Sequence, residues 1–185
     1  MGRFVSLLPL LSLVACKPAP SKIAIDPERS VIERKGGTRA LTLVARDRAG
    51  AEVDGVAAEW HSMDPLTCDV DARGVVKALR SGTCAIRASA GDLRADASVR
   101  VAIVAGLDVT PSGIEMGVGV TRRFSARVLD DRGQPLIGVG VAWASSDPTI
   151  ATVGAGGNVT TIETGEVRIV ARTEGAEGAA QVFVR

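Results

Sequence analysis

The side chains of this 185-residue chain that could carry chemistry are few: one histidine, three cysteines, two tryptophans and no tyrosine. His61, followed by Ser62, Met63 and Asp64, has the look of a metal ligand or a hydrolytic base. A zinc site needs three or four such ligands, however, and a triad needs a nucleophile and an orienting acid around its histidine. One histidine without such neighbours makes neither, and alternation places it toward solvent. Asp69 with Asp71, and Asp130 with Asp131, could lend oxygens to calcium. Calcium takes six or more, and neither pair follows a calcium-loop spacing, so both are read as turn formers. Gly117-Val-Gly119 lacks the strand-to-helix setting of a dinucleotide loop, and Asn158-Val-Thr160 matches a glycosylation sequon and nothing more. The chain is therefore read as non-catalytic, with no catalytic, cofactor-binding or metal-ligating residue.

The cysteines say more. Arg3 is the only charge before an apolar run from Phe4 to Val14, which ends Leu13-Val14-Ala15-Cys16. The run is too short to span a bilayer and is read as a signal peptide over residues 1–15. Small residues followed by Cys resemble the lipobox of bacterial lipoproteins, in which the cysteine is lipidated and becomes the first residue after cleavage. Cys16 is accordingly expected to be the anchor and the membrane to be a partner through that lipid. An ordinary signal peptide cut near Ala15 would leave a free thiol, a liability in an oxidising compartment. In a diderm host, Lys17 after the cysteine directs such a protein to the outer membrane. Residues 16–21 are the lipidated tether, in which Lys17 to Ser21, with Pro18 and Pro20, is stiff and reaches at most about 18 Å.

With Cys16 set aside, Cys68 and Cys84 remain as an even pair in an exported protein, the usual signature of a disulfide. Without residues 1–15, which hold Arg3 alone among charged residues, the 22 Lys+Arg fall to 21, equal to the 21 Asp+Glu. A neutral chain whose arginines alternate with acids and apolar residues offers no phosphate-tracking stripe, so nucleic acid is not expected as a partner.

The elements that must hold these residues come in two copies. From Thr38 to Val101, residue n resembles residue n+83 without a gap. Thr38-Arg39 matches Thr121-Arg122, and Asp47 and Gly50 match Asp130 and Gly133. Trp60-x-Ser62-x-Asp64-Pro65 matches Trp143-x-Ser145-x-Asp147-Pro148. In this register Cys68 stands where Ala151 stands and Cys84 where Val167 stands, both inward-looking positions in alternating segments. Two separate buried thiols would require the strands carrying them to miss one another.

Period-two alternation runs throughout, with no helical stripe, so the class is all-β. Strands are expected near 22–26, 29–34, 38–46, 55–62, 67–70, 75–79, 83–90 and 94–104. In the second copy they are expected near 105–110, 113–117, 121–129, 138–145, 149–153, 158–163, 166–173 and 178–185. Asp47-Arg-Ala-Gly50 and Asp130-Asp-Arg-Gly133 have turn chemistry. Short strands at this spacing argue for β-sandwiches, one over residues 22–104 and one over 105–185, with Gly106 as the pivot between them.

The string Trp143-Ala-Ser-Ser-Asp-Pro-Thr-Ile-Ala-Thr-Val153, with Gly157, Val159 and Gly165-Glu-Val-Arg-Ile-Val-Ala171, resembles the bacterial immunoglobulin-like group 2 family. Trp60-His-Ser-Met-Asp-Pro65 through Gly82-Thr-Cys-Ala-Ile-Arg-Ala88 is a more divergent copy. The resemblance implies two tandem immunoglobulin-like sandwiches, of a kind that serves as spacer, adhesin module or accessory domain. Trp60 and Trp143 would be stacking platforms for sugars if exposed, but their equivalent places in alternating strands make them core residues. The expected role is a surface binding, adhesion or structural module of the cell envelope, with a protein or glycan partner that the sequence does not name. Two other roles compete with it: an accessory subunit of an enzyme processing envelope polysaccharide, and an assembly component pairing through an edge strand.

Overall fold

The computed structural model describes residues 19–185. The signal peptide, Cys16 and Lys17 lie outside the described residues. Within them the chain forms strands and no helix. The first half holds β1 (Lys22–Asp26), β2 (Arg29–Ile32), β3 (Thr38–Ala40), β4 (Thr42–Arg46), β5 (Glu59–Ser62), β6 (Cys68–Val70), β7 (Val75–Ala78), β8 (Gly82–Ala90) and β9 (Leu93–Val101). The second half repeats the series: β10 (Val104–Thr110), β11 (Ile114–Met116), β12 (Thr121–Arg123), β13 (Ser125–Asp130), β14 (Ala142–Ser145), β15 (Ala151–Val153), β16 (Asn158–Thr161), β17 (Gly165–Thr173) and β18 (Ala176–Val184).

Each half is a sandwich of antiparallel strands with one parallel pair. In the first, one layer runs β2-β9-β8-β5, with β2 parallel to β9. The opposing layer is β3-β7-β6, continued by the β1-β4 pair. The second half has β11-β18-β17-β14 against β12-β16-β15 and β10-β13. In both halves the chain passes between layers after the first strand, at Asp26-Pro27 and Thr110-Pro111, each a cis peptide. Proline has no N–H to give a ladder, so it suits a point where pairing must change partner.

Alternation explains the cores. In β8, Cys84, Ile86 and Ala88 are buried; their counterparts Val167, Ile169 and Ala171 in β17 are buried as well. The main cluster of the first half joins them to Ile25, Leu41, Val76 and Val99, and that of the second to Val109, Phe124, Val159 and Val182. Each such Val or Ile contributes about 1.5–3 kcal/mol by leaving water. The equivalence also extends farther toward the amino end than the sequence register. Ile23 pairs with Leu107, Ile25 with Val109 and Ile32 with Met116, all buried, at an offset of 84 rather than 83. The lost residue falls in the loop just before Thr121.

Three expectations are corrected. The segments expected as single strands at 38–46 and 121–129 are each broken, at Leu41 and Phe124, because those buried residues donate their amides to Gly74 and Gly157 while the chain changes partner strand. The strands expected to start at 55 and 138 begin only at Glu59 and Ala142; Gly55 and Gly138 have positive φ (71° and 84°) and turn the chain away from the ladder. Gly106 is not a pivot. It lies within β10 opposite Leu129, beside a register shift.

Candidate functional site

The Trp-x-Ser-x-Asp-Pro motif closes a turn at the same end of each half. The amide of Asp64 donates to Ser62 Oγ, at 3.3 Å. Its carboxylate accepts the Thr67 hydroxyl at 2.7 Å and the Leu66 amide at 3.2 Å. Its carbonyl accepts the amides of Thr67 and Cys68. Asp147 does the same work with the hydroxyl and amide of Thr149 and the amides of Ile150 and Ala151. The hydroxyl bonds from Thr67 and Thr149, followed by the amide bonds, hold both carboxyls below the ordinary carboxylate value. A carboxylate occupied by a hydroxyl and an amide of its own turn is a turn fastener, not a base.

His61 projects to solvent from β5, beside Trp60. Trp60 and Trp143 are half-buried rather than enclosed, since β5 and β14 are edge strands of their layers; each ring packs against its core from the rim. Cys68 and Cys84 are joined in a disulfide and both are buried. Since β6 and β8 belong to opposite layers, the bond crosses the sandwich interior.

The acids considered for calcium are also occupied. Asp71 accepts the amides of Arg73 and Val75, and Asp69 that of Val70. Asp130 accepts the amides of Arg132 and Gln134, as Asp47 does those of Ala49 and Ala51. Asp131 has a different task. Its carboxylate accepts the amide of Ser81 at 3.0 Å, while Arg132 Nη1 donates to the Ser81 carbonyl at 3.3 Å. Ser81 is buried, and its hydroxyl accepts the amide of Ile103 at 2.9 Å. A turn of the second half thus grips both backbone polar groups of one residue of the first. Sequence reasoning missed this joint, although its signal was present: Asp131-Arg132 stands where the first copy has Arg48-Ala49.

Beside the joint lies a cleft of about 890 Å³, bounded by Val31, Arg34, Lys35 and Arg100 of the first half and by Ile137 and Glu174 of the second. Ile137 is 88% exposed there. Among the described residues no three His, Cys, Asp or Glu side chains converge as a metal site would need.

No family model matches the chain, so the resemblance to the immunoglobulin-like group 2 family rests on the residues quoted above. The chain is 31% identical over 154 residues to ice-binding protein 1 of Shewanella frigidimarina (strain NCIMB 400), covering 81% of this chain and 17% of that protein. It therefore spans about a sixth of the length of that curated relative. Among solved structures, the S-layer protein SbsC matches with a TM-score of 0.42 and 19% identity, covering 90% of this chain and 28% of the other. The Escherichia coli adhesin FdeC matches with a TM-score of 0.48 and 16% identity over 88% of this chain and 63% of its own. Protocadherin gamma B7 gives a TM-score of 0.43 at 10% identity, over 89% and 50% of the two chains.

Proposed function

We propose that this chain is a non-catalytic envelope module: two immunoglobulin-like sandwiches, residues 22–104 and 105–185, held at the bacterial membrane by lipid on Cys16 and presenting a binding or adhesion surface to a protein or glycan. The observation that carries this reading is the use of the polar side chains. Asp47, Asp64, Asp71, Asp130 and Asp147 are spent on backbone amides, and Asp131 on the joint. A chain that invests its carboxylates in turns is built for shape rather than for turnover. The partial coverage of the ice-binding protein supports a modular role, since the matched stretch there is one section of a much longer chain. The neutral surface offers no electrostatic hold on anionic lipid, which leaves the acyl chains of Cys16 as the attachment.

Cell fractionation of a Cys16→Ser variant tests the reading. The wild type is expected in the detergent-extractable envelope fraction and the variant in the soluble exported fraction. Retention of the variant in the envelope would overturn the anchor.

A further inference from the structure

We infer that β14 is an unguarded sheet edge through which two copies of this chain pair antiparallel about a two-fold axis. In the ladder with β17, Ser146 donates its amide to Arg168, which makes 146/168 a hydrogen-bonded pair. Alternation then turns the N–H and C=O groups of Ala142 and Ala144 toward β17, and those of Trp143 and Ser145 toward the open edge. The first half has the same phase, set by the amide of Met63 donating to Ala85, so the N–H and C=O groups of Trp60 and Ser62 face the open edge of β5.

The two edges differ in how they are protected. Native sheets blunt an edge with charge, proline or a covering segment. On β5 the exposed positions are Glu59 and His61; on β14 they are Ala142 and Ala144. The residues leading into β14, Ile137-Gly-Val-Gly-Val141, are uncharged, where the first copy has Asp54 in the same stretch. They run up to the edge without pairing along it.

A second copy is the occupant that this edge fits without help. Centred on Ala144, an antiparallel pairing sets Trp143 opposite Ser145 of the other copy and Ser145 opposite its Trp143, so that every outward group of both strands finds a partner. The interface is isologous, as two-fold pairing requires. No charged side chain of β14 opposes its own copy, and the methyl groups of the two Ala144 residues meet at the axis. The two four-stranded layers become one continuous sheet. The pairing does not depend on the lipid anchor.

The test uses residues 19–185, which contain every strand and both cores described above. Sedimentation over a concentration series is expected to show a reversible monomer–dimer equilibrium. Ala144→Lys, which places like charges at the axis on an exposed position, is expected to weaken it by about tenfold or more while leaving unchanged the thermal midpoint of the monomer, measured at concentrations too low for the dimer. Under mild oxidation Ala144→Cys should give a covalent dimer far faster than Ala142→Cys, because only residue 144 faces itself across the axis. A wild-type chain that stays monomeric at high concentration overturns the inference. So does open-ended association, or equal cross-linking of the two cysteine variants.

Discussion

Gly74 lies against the six-membered ring of Trp60 so closely that a Cβ on the glycine would stand 2.9 Å from Cζ2 of the indole. Gly157 and Trp143 repeat the relationship at 3.0 Å. Both glycines have positive φ, 81° and 78°, and both accept the amide of the residue at which the neighbouring strand breaks, Leu41 or Phe124. The half-buried rings are therefore roofed by turn backbone, and the turn has its shape because nothing larger than hydrogen fits over them.

Gly157→Ala should destabilise the second half by about 1–3 kcal/mol, through strain at positive φ, collision with the Phe124 carbonyl and displacement of Trp143. Chemical denaturation followed by tryptophan fluorescence measures it. An unchanged midpoint would refute the close fit of Gly157 against Trp143 and the Phe124 carbonyl.

Trp143→Ala should cost about 2–4 kcal/mol, somewhat below a fully enclosed tryptophan because the ring sits at the rim of its core. In the wild type, tryptophan emission should be blue-shifted from free indole and only partly quenched by acrylamide. Emission at the position of free indole with full quenching would mean that the rings stand in water.

Reduction of Cys68–Cys84 should destabilise the first half alone. With a sequence separation of 16, the chain-entropy model assigns the bond about 3 kcal/mol. The counterparts Ala151 and Val167 fill the same buried positions without a bond, so the second half should keep its unfolding midpoint. Calorimetry with and without reductant distinguishes the two transitions, and non-reducing peptide mapping tests the linkage. Recovery of both residues as alkylatable thiols would refute it.

The turn carboxylates predict an acid limb. Thr67 and Thr149 hydroxyls hold Asp64 and Asp147 below the usual carboxylate value, the Val75 amide does so for Asp71, and Arg87 does so for Asp96. A depressed folded value means stabilisation that is complete above the unfolded value of about 4 and is lost as pH falls through the folded one. Urea midpoints should be flat near neutrality and drop below about pH 4, and Asp64→Asn should shrink that drop in the first half. A drop of the same size in the variant would assign the acid limb to other groups.

Asp131→Ala and Arg132→Ala should loosen the joint while leaving each core intact. Amide relaxation should show the halves of the variants tumbling more independently than those of the wild type. Identical correlation times would place the coupling elsewhere.

Much of this was legible in the sequence because a sandwich writes its core as alternation. Val167, Ile169 and Ala171 point inward in β17 as their spacing requires, and Asp47 and Asp130 open their turns as residue type alone suggests. Breaks and partners were less legible. Nothing in Thr38–Arg46 marks Leu41 as the place where pairing passes from β7 to β1, since both neighbouring stretches alternate and the break is dictated by Gly74 across the layer. The offset of 84 before Thr121 was hidden by a single missing loop residue, which shifts an alternating pattern by one and so disguises it. Trp60 and Trp143 were correctly paired by the repeat, but their place at the rim follows from sheet order, which no local pattern encodes.

The grip on Ser81 gives the molecule a direction. Exchange the halves in a rearranged chain and Thr164, which stands where Ser81 does, would meet Arg48 and Ala49. Arg48 has no oxygen to receive an amide, and Ala49 has no guanidinium to offer a carbonyl. Duplication made two interchangeable folds, and the divergence of a single turn has since made their order matter, as the teeth of a ratchet engage one way only.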